Sequence, residues 1–166
     1  MKAARRQLAP AGPAVKVVAK NRRARHDYDI LETLEAGIAL VGTEVKSLRE
    51  GQIQLKDSYA RVVDGELWLV GVHVSPYAQA DGFGGHDPER PRKLLLHRSE
   101  IAKLANRVAL ESLTLVPLSV YFKEGRAKVE LALARGRKRH DKRSAIAERD
   151  ASREAQRALA RRHREA

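Results

Sequence analysis

The stretch from Ser58 to Val70 constrains the fold more than any other. Ser58-Tyr59-Ala60-Arg61-Val62-Val63 and Glu66-Leu67-Trp68-Leu69-Val70 are rich in β-branched and aromatic residues, and only Asp64-Gly65 separates them. That pair suits a type I′ turn, whose two central residues both need positive φ, so the chain reverses directly into an antiparallel neighbour.

The rest of the central chain follows the same mode. Tyr28, Ile30 and Leu34 alternate with Asp29, Thr33 and Glu35, a bend falls at Ala36-Gly37, and Ile38 and Leu40 lead to Gly42. This reads as two strands or one bent strand. Strand character continues through Val72 and Val74, and runs again from Leu113 to Phe122 and from Ala127 to Leu133 around Lys123-Glu124-Gly125-Arg126. Pro117 cannot donate to a ladder, so it predicts an edge or a bulge. Two helices interrupt the strands. One spans Thr43 to Gly51, with Thr43 as cap and Glu44 at the positive end of the dipole. The other is capped by Ser99 and places Ile101, Leu104 and Val108 on one face. Ser75 to Pro91 is rich in Gly and Pro and reads as a long mobile loop. Roughly six short antiparallel strands with two to three short helices predict a mainly β chain, a small closed barrel of the OB type.

Charge divides the chain into parts. The whole carries 33 Lys and Arg against 21 Asp and Glu, a net +12. Residues 1–25 have 8 basic and no acidic side chains, residues 135–166 have 12 and 5, and the stretch between has 13 and 16. All the excess positive charge therefore sits at the two ends of a nearly neutral body. The expected organisation is a flexible basic arm over 1–20, a barrel over 21–134 and a basic tail over 135–166. Two basic arms suit a polyanion such as RNA, although charged tails also keep a protein in solution.

The tail opens with Arg135, Arg137, Lys138, Arg139, Lys142 and Arg143, and Arg149, Arg153, Arg157 and Arg161 then recur every four residues. Helix propensity is good, but Ile146 and Leu159 are the only large apolar residues after residue 140. With no face to bury, the tail is expected to be disordered when free and helical when its arginines meet phosphates, with Asp141 as a helix N-cap.

Several function classes fall away. There is no Cys, so disulfides and thiolate chemistry are excluded. No apolar run reaches the roughly 20 residues that span a bilayer. Met1–Ala14 lacks an apolar h-region, and Pro10 and Pro13 break any amphipathic transit helix, so a cytoplasmic chain without membrane contact is expected. No catalytic motif is present, and the histidines at 26, 73, 86, 97, 140 and 163 are not spaced as metal ligands, so neither metal nor cofactor is expected. Arg25-His26-Asp27-Tyr28 and His140-Asp141-Lys142-Arg143 place His, acid and cation together, as a ribonuclease would. Sequence adjacency is not catalytic geometry, and phosphate binding by the cations with His against RNA is the preferred reading. Tyr59, Trp68 and Phe122 are assigned to the core.

Three groups of residues carry a family resemblance. The first is Asn21-Arg22-Arg23-Ala24-Arg25-His26-Asp27-Tyr28, then Glu35-Ala36-Gly37-Ile38-Ala39-Leu40 and Gly42-Thr43-Glu44-Val45-Lys46-Ser47-Leu48-Arg49. The second is Asp57-Ser58-Tyr59 and Arg92-Lys93-Leu94-Leu95-Leu96, and the last is Gly136-Arg137-Lys138-Arg139-His140-Asp141-Lys142-Arg143. Together, in this order, they resemble the SmpB family of SsrA-binding proteins. The resemblance implies a non-enzymatic, monomeric adaptor that acts in rescue of stalled ribosomes by trans-translation. Its barrel would bind the tRNA-like domain of tmRNA through Asn21, Glu35 and Leu95, near Arg22, Arg25, His26, Lys46 and Arg49. Its tail would probe the empty mRNA channel and meet small-subunit rRNA near the decoding centre, through Arg137, Lys138, His140, Asp141, Lys142 and Arg143. Elongation factor Tu would join the delivery complex. The residues alone leave open another OB-type translation or ribosome-assembly factor, or a ribonuclease using His26 or His140.

Overall fold

The computed structural model describes residues 14–78, 85–137 and 139–165. Its elements run β1 (Val15–Lys20), α1 (Ala24–Asp27), β2 (Tyr28–Ile38), α2 (Gly42–Arg49), β3 (Ile53–Gln54), β4 (Tyr59–Val63) and β5 (Glu66–Val70). β6 (His73–Val74), β7 (Arg92–Leu95), α3 (Arg98–Glu111), β8 (Thr114–Lys123), β9 (Arg126–Gly136) and α4 (Arg139–Glu165) follow.

Antiparallel pairing closes the main sheet into a ring. The order is β8-β4-β5-β7-β2-β9, and β9 returns to pair with β8. β9 lines one edge of β8 along its length; β4 meets the other edge at Leu115, and β1 covers it from Ser119 to Lys123. Closure removes the unpaired edges that invite association. The hairpins are as the turn chemistry predicts: Asp64 and Gly65 have φ of 51° and 75°, and Glu124 and Gly125 have φ of 52° and 76°. The β8 register shifts between Pro117 and Ser119, the bulge that Pro117 predicts.

Ala36, Ile38, Leu67, Leu69, Leu94, Leu115, Val120, Val129, Leu131 and Leu133 point into the barrel and are buried. Each fully buried Leu contributes about 1.5–3 kcal/mol. α2 adds Leu48 and α3 adds Ile101 and Leu104 to this core. A second, smaller cluster lies outside the barrel wall, where Val116, Leu118 and Ala132 are covered by Ala24, Tyr28 and Ile30.

A buried ionic group locks α2 to the barrel. Glu44 and Arg92 are both fully buried and joined side chain to side chain, and Arg90 reaches the other oxygen of Glu44. Arg92 also donates to Val72 O at 2.8 Å and Pro88 O at 3.0 Å. Burial pushes the Glu44 carboxyl up, but Arg90, the Val41 N–H and Arg92 outweigh it and hold the group below the ordinary glutamate range.

Several sequence expectations are corrected. Residues 15–20, expected to belong to a flexible arm, are the strand β1, because the β-branched Val15, Val17 and Val18 pair with the part of β8 that β4 leaves bare. Residues 1–13 lie outside the described residues. β2 is a single strand through Gly37, with its irregularity between Ile30 and Glu32. α1 is one turn, too short for periodicity to reveal, and β3 and β6 are two-residue strands. Val41 and His97, not Thr43 and Ser99, occupy the helix N-caps; Glu44 and Glu100 accept their backbone N–H groups at 3.0 and 3.1 Å. Tyr59 and Trp68 face outward, since the inward positions belong to Ala60, Leu67 and Leu69. The loop from Ser75 to Pro91 is anchored where it is described: His86 bridges Thr43 Oγ1 at 2.9 Å and Val74 O at 3.0 Å. Residues 79–84 of that loop lie outside the described residues. The tail carries the helix α4, favoured by its Ala, Arg and Glu content, and every side chain from Ile146 to Arg162 is exposed. Among the described residues no helix is long and apolar enough to cross a membrane.

Candidate nucleic-acid interface

Strand alternation sorts β2, β7, β8 and β9 into an inner and an outer set. Leu94 is 1% exposed and Leu95 is 52% exposed, so Leu95 stands on the outer wall. Across the sheet, Leu95 lies opposite Gly37, Gly37 opposite Lys128, and Lys128 opposite Tyr121. Gly37 is needed there: a Cβ on it would sit 3.2 Å from Leu95 Cβ. The row beside it runs from Glu35 to Glu130 to Ser119. Leu95 thus borders a shallow groove with Gly37, Leu40, Val45, Arg126 and Lys128. Among the described residues no group of acids and histidines is arranged to hold a metal ion.

Glu35 is the carboxylate of this face. Tyr121 Oη donates to its Oε2, and Lys123 Nζ lies 3.3 Å from the same oxygen. The Tyr121 hydrogen bond is the largest influence and, despite some burial, holds the Glu35 carboxyl below the ordinary range, with Lys123 and Lys128 assisting. In return, burial and the Glu35 carboxylate push the Tyr121 hydroxyl up.

The same outer wall carries the α1 cations. α1 sits over Val116, Leu118 and Ala132, and Ala132 lies four residues from Lys128 on β9, roughly 13 Å at about 3.3 Å per residue. Arg22, Arg23 and Arg25 are exposed, and His26 Nδ1 is 3.0 Å from Asp27 Oδ1. Asn21 is placed differently. Its amide donates to Pro117 O at 3.1 Å and Leu55 O at 3.4 Å, and its backbone N–H donates to Leu118 O at 2.7 Å. It therefore pins the exit of β1 to β8 and sets where α1 begins.

Of the other sequence-predicted residues, Lys46 is exposed on α2 with its ammonium 5.4 Å from the Tyr77 ring centroid, and Arg49 is exposed one turn on. Val45, on the same helix, borders the Leu95 groove. Arg137 is not a free cation: its Nε donates to Asp29 Oδ1 at 2.8 Å and its backbone N–H to Asp27 O at 3.0 Å, tying the tail root to α1. Lys138 lies outside the described residues, as do the side chains of His140, Asp141 and Lys142, while Arg143 is exposed. α4 begins at Arg139, so Asp141 stands within the first turn and is not the N-cap. An acid there still complements the helix dipole.

Sequence reasoning missed Lys128, Tyr121 and Lys123. Their outward parity was readable from Val129 and Val120, but their meeting with Glu35 depends on register across three strands.

A closed antiparallel barrel, short helices packed on it and a basic helix leaving its last strand define a small OB-like β-barrel protein. The profile of the SmpB protein family matches residues 18–161, and the chain belongs to that family. It is 61% identical over 143 residues to the SsrA-binding protein of Desulforudis audaxviator (strain MP104C), covering 86% of this chain and 93% of that one. It is 58% identical over 146 residues to the SsrA-binding protein of Parafrankia sp. (strain EAN1pec), covering 88% and 92%. A solved structure described as "tmRNA-SmpB: a journey to the center of the bacterial ribosome" matches with a TM-score of 0.62 and 53% identity, over 77% of this chain and 93% of that chain.

Proposed function

We propose that this chain binds tmRNA and serves trans-translation, the rescue of stalled ribosomes, as a cytoplasmic, monomeric, non-enzymatic adaptor. The observation that carries the reading is the single outer face on which Leu95, Glu35 and Lys128 stand in register, beside the cations of α1, in a chain of this family. Cations there neutralise phosphates and supply affinity. Leu95 offers an apolar surface to a base or ribose, and Glu35 accepts from a base amino group or a 2′-hydroxyl. Arg22, Arg25, His26, Lys46 and Arg49 extend the contact, and Asn21 sets the position of α1.

The tail does the second part of the work. A basic helix without an apolar face has little to hold it to the barrel and much to gain from rRNA phosphates. It enters an mRNA channel only when mRNA is absent, and so senses a stalled ribosome. His140, Asp141, Lys142 and Arg143 act near the decoding centre, with Lys138 behind them, and Arg137 fixes the direction in which the helix leaves the barrel. Elongation factor Tu accompanies the complex during delivery.

The test compares binding of the tRNA-like domain of tmRNA with binding of a plain RNA duplex of equal length. Selective binding that survives truncation after Gly136 and weakens in Glu35→Arg supports the assignment. Equal affinity for both RNAs contradicts it.

A further inference from the structure

Glu35 and Glu130 stand directly opposite each other on β2 and β9, an arrangement that is repulsive unless something turns the carboxylates apart. Something does. Ser119 Oγ donates to Glu130 Oε2 at 3.0 Å, while Tyr121 and Lys123, two residues apart on β8, reach over β9 to Glu35 Oε2. That reach crosses two strand spacings of about 4.8 Å, which only long side chains can span. Both donors converge on one oxygen, and Glu35 Oε1 has no partner among the described residues. The Glu35 side chain is 37% exposed, and both hydrogen bonds hold the same oxygen of it.

Resting on the RNA-binding reading above, we infer that Tyr121 is a positioning residue. It clamps the Glu35 carboxylate so that Oε1 is a preset acceptor for an N–H or O–H donor of the bound RNA, a base amino group or a ribose 2′-hydroxyl. An unclamped glutamate on an RNA-binding face would swing toward Lys123 or Lys128 and lose that direction. The groups facing Glu35 are Tyr121 and Lys123 from β8 and Lys128 and Glu130 from β9, and Tyr121 is the one that adds direction without adding charge. A preset acceptor favours RNAs that place a donor there, because the orienting cost is met before binding.

The test uses the full-length protein and the tRNA-like domain of tmRNA, with Glu35→Gln, Tyr121→Phe and the double variant. The expected losses of affinity are about tenfold for Glu35→Gln and three- to tenfold for Tyr121→Phe, with the double variant within twofold of Glu35→Gln. The Glu35 carboxyl, followed by carbon-13 NMR, should titrate at higher pH in Tyr121→Phe than in the parent protein, a change that a role in folding alone would not produce. Glutamine keeps one acceptor oxygen, so Glu35→Leu, which has none, is the stringent control: if it binds like the parent, Glu35 is not an RNA acceptor and both the reading of this residue and the inference fall. If Glu35→Gln weakens binding but Tyr121→Phe does not, or if the two losses multiply, the clamp is overturned while the RNA-binding role of Glu35 stands. Replacing the contacted nucleotides by their 2′-deoxy forms separates the donors: a Glu35→Gln loss that vanishes on them points to the hydroxyl, and one that persists points to the base.

Discussion

Arg92→Met should be the most damaging single substitution in the barrel. The side chain is fully buried and donates to Glu44, Val72 O and Pro88 O. Methionine fills much of the volume but supplies none of these donors. Glu44, itself buried, then keeps only Arg90 and the Val41 N–H; Val72 O loses the Arg92 donor, while Pro88 O keeps the Val74 N–H at 2.9 Å. Removing one member of a buried ion pair costs about 3–5 kcal/mol, because the other charge is stranded. For a folded body of this size that corresponds to a fall in Tm of roughly 10–20 °C. The exposed Arg107, paired to Glu32 at 2.7 Å and Glu111 at 3.1 Å, gives the contrast, and Arg107→Ala should move Tm by no more than about 2 °C. Thermal melts followed by circular dichroism at 222 nm would be dominated by α4, so the Trp68 fluorescence of the barrel is the better probe. Glu44→Gln with Arg92→Met should cost less than the sum of the single variants. An Arg92→Met protein that melts within 3 °C of the parent would refute the argument that this charge is stranded on removal of its partner.

Other outcomes follow from the same geometry. Because the folded Glu44 carboxyl is held below its unfolded value, its contribution is complete above the ordinary glutamate range and is lost as pH falls through it. Acid melts of the parent should therefore steepen below about pH 4.3, and those of Glu44→Gln should steepen less, with the lowered Glu35 carboxyl leaving part of the dependence. Gly37→Val should push Leu95 off its neighbour and weaken tmRNA binding at least threefold while a gel filtration profile stays unchanged. Truncation after Gly136 should leave tmRNA affinity within tenfold of the full chain, whereas Asp141-Lys142-Arg143→Ala-Ala-Ala or His140→Ala should abolish alanine transfer to tmRNA on stalled ribosomes without such a loss. The amides of α4 from Ile146 to Arg162 should exchange far faster than those of β8 and β9, since no described side chain over that span is buried; slow exchange there would show a packing partner.

The barrel was legible where a residue's own chemistry decides its backbone. Asp64-Gly65 and Glu124-Gly125 supply the positive φ of two hairpins, and Pro117 marks the β8 bulge. Legibility stops where pairing is non-local. β1 is a strand because β8, about a hundred residues on, has an uncovered edge. Arg137 is held by Asp29 through a register that no local pattern contains. At the helix starts the informative residue was the glutamate at the third position, Glu44 or Glu100, rather than a nearby Thr or Ser. Trp68 shows parity outweighing bulk: Leu67 and Leu69 on either side take the inward positions and fix it as an outward residue.

The central claim is that the outer wall of β7, β2, β9 and β8 holds RNA. Titrating the tRNA-like domain of tmRNA into isotopically labelled full-length protein tests it most directly, residue by residue. The account predicts that the amides of Glu35, Gly37, Leu95, Tyr121 and Lys128 shift together with those of Arg22 to His26, while Arg61 and Val63 on the β4–β5 hairpin stay in place. Shifts confined to α4, or centred on that hairpin, would contradict it.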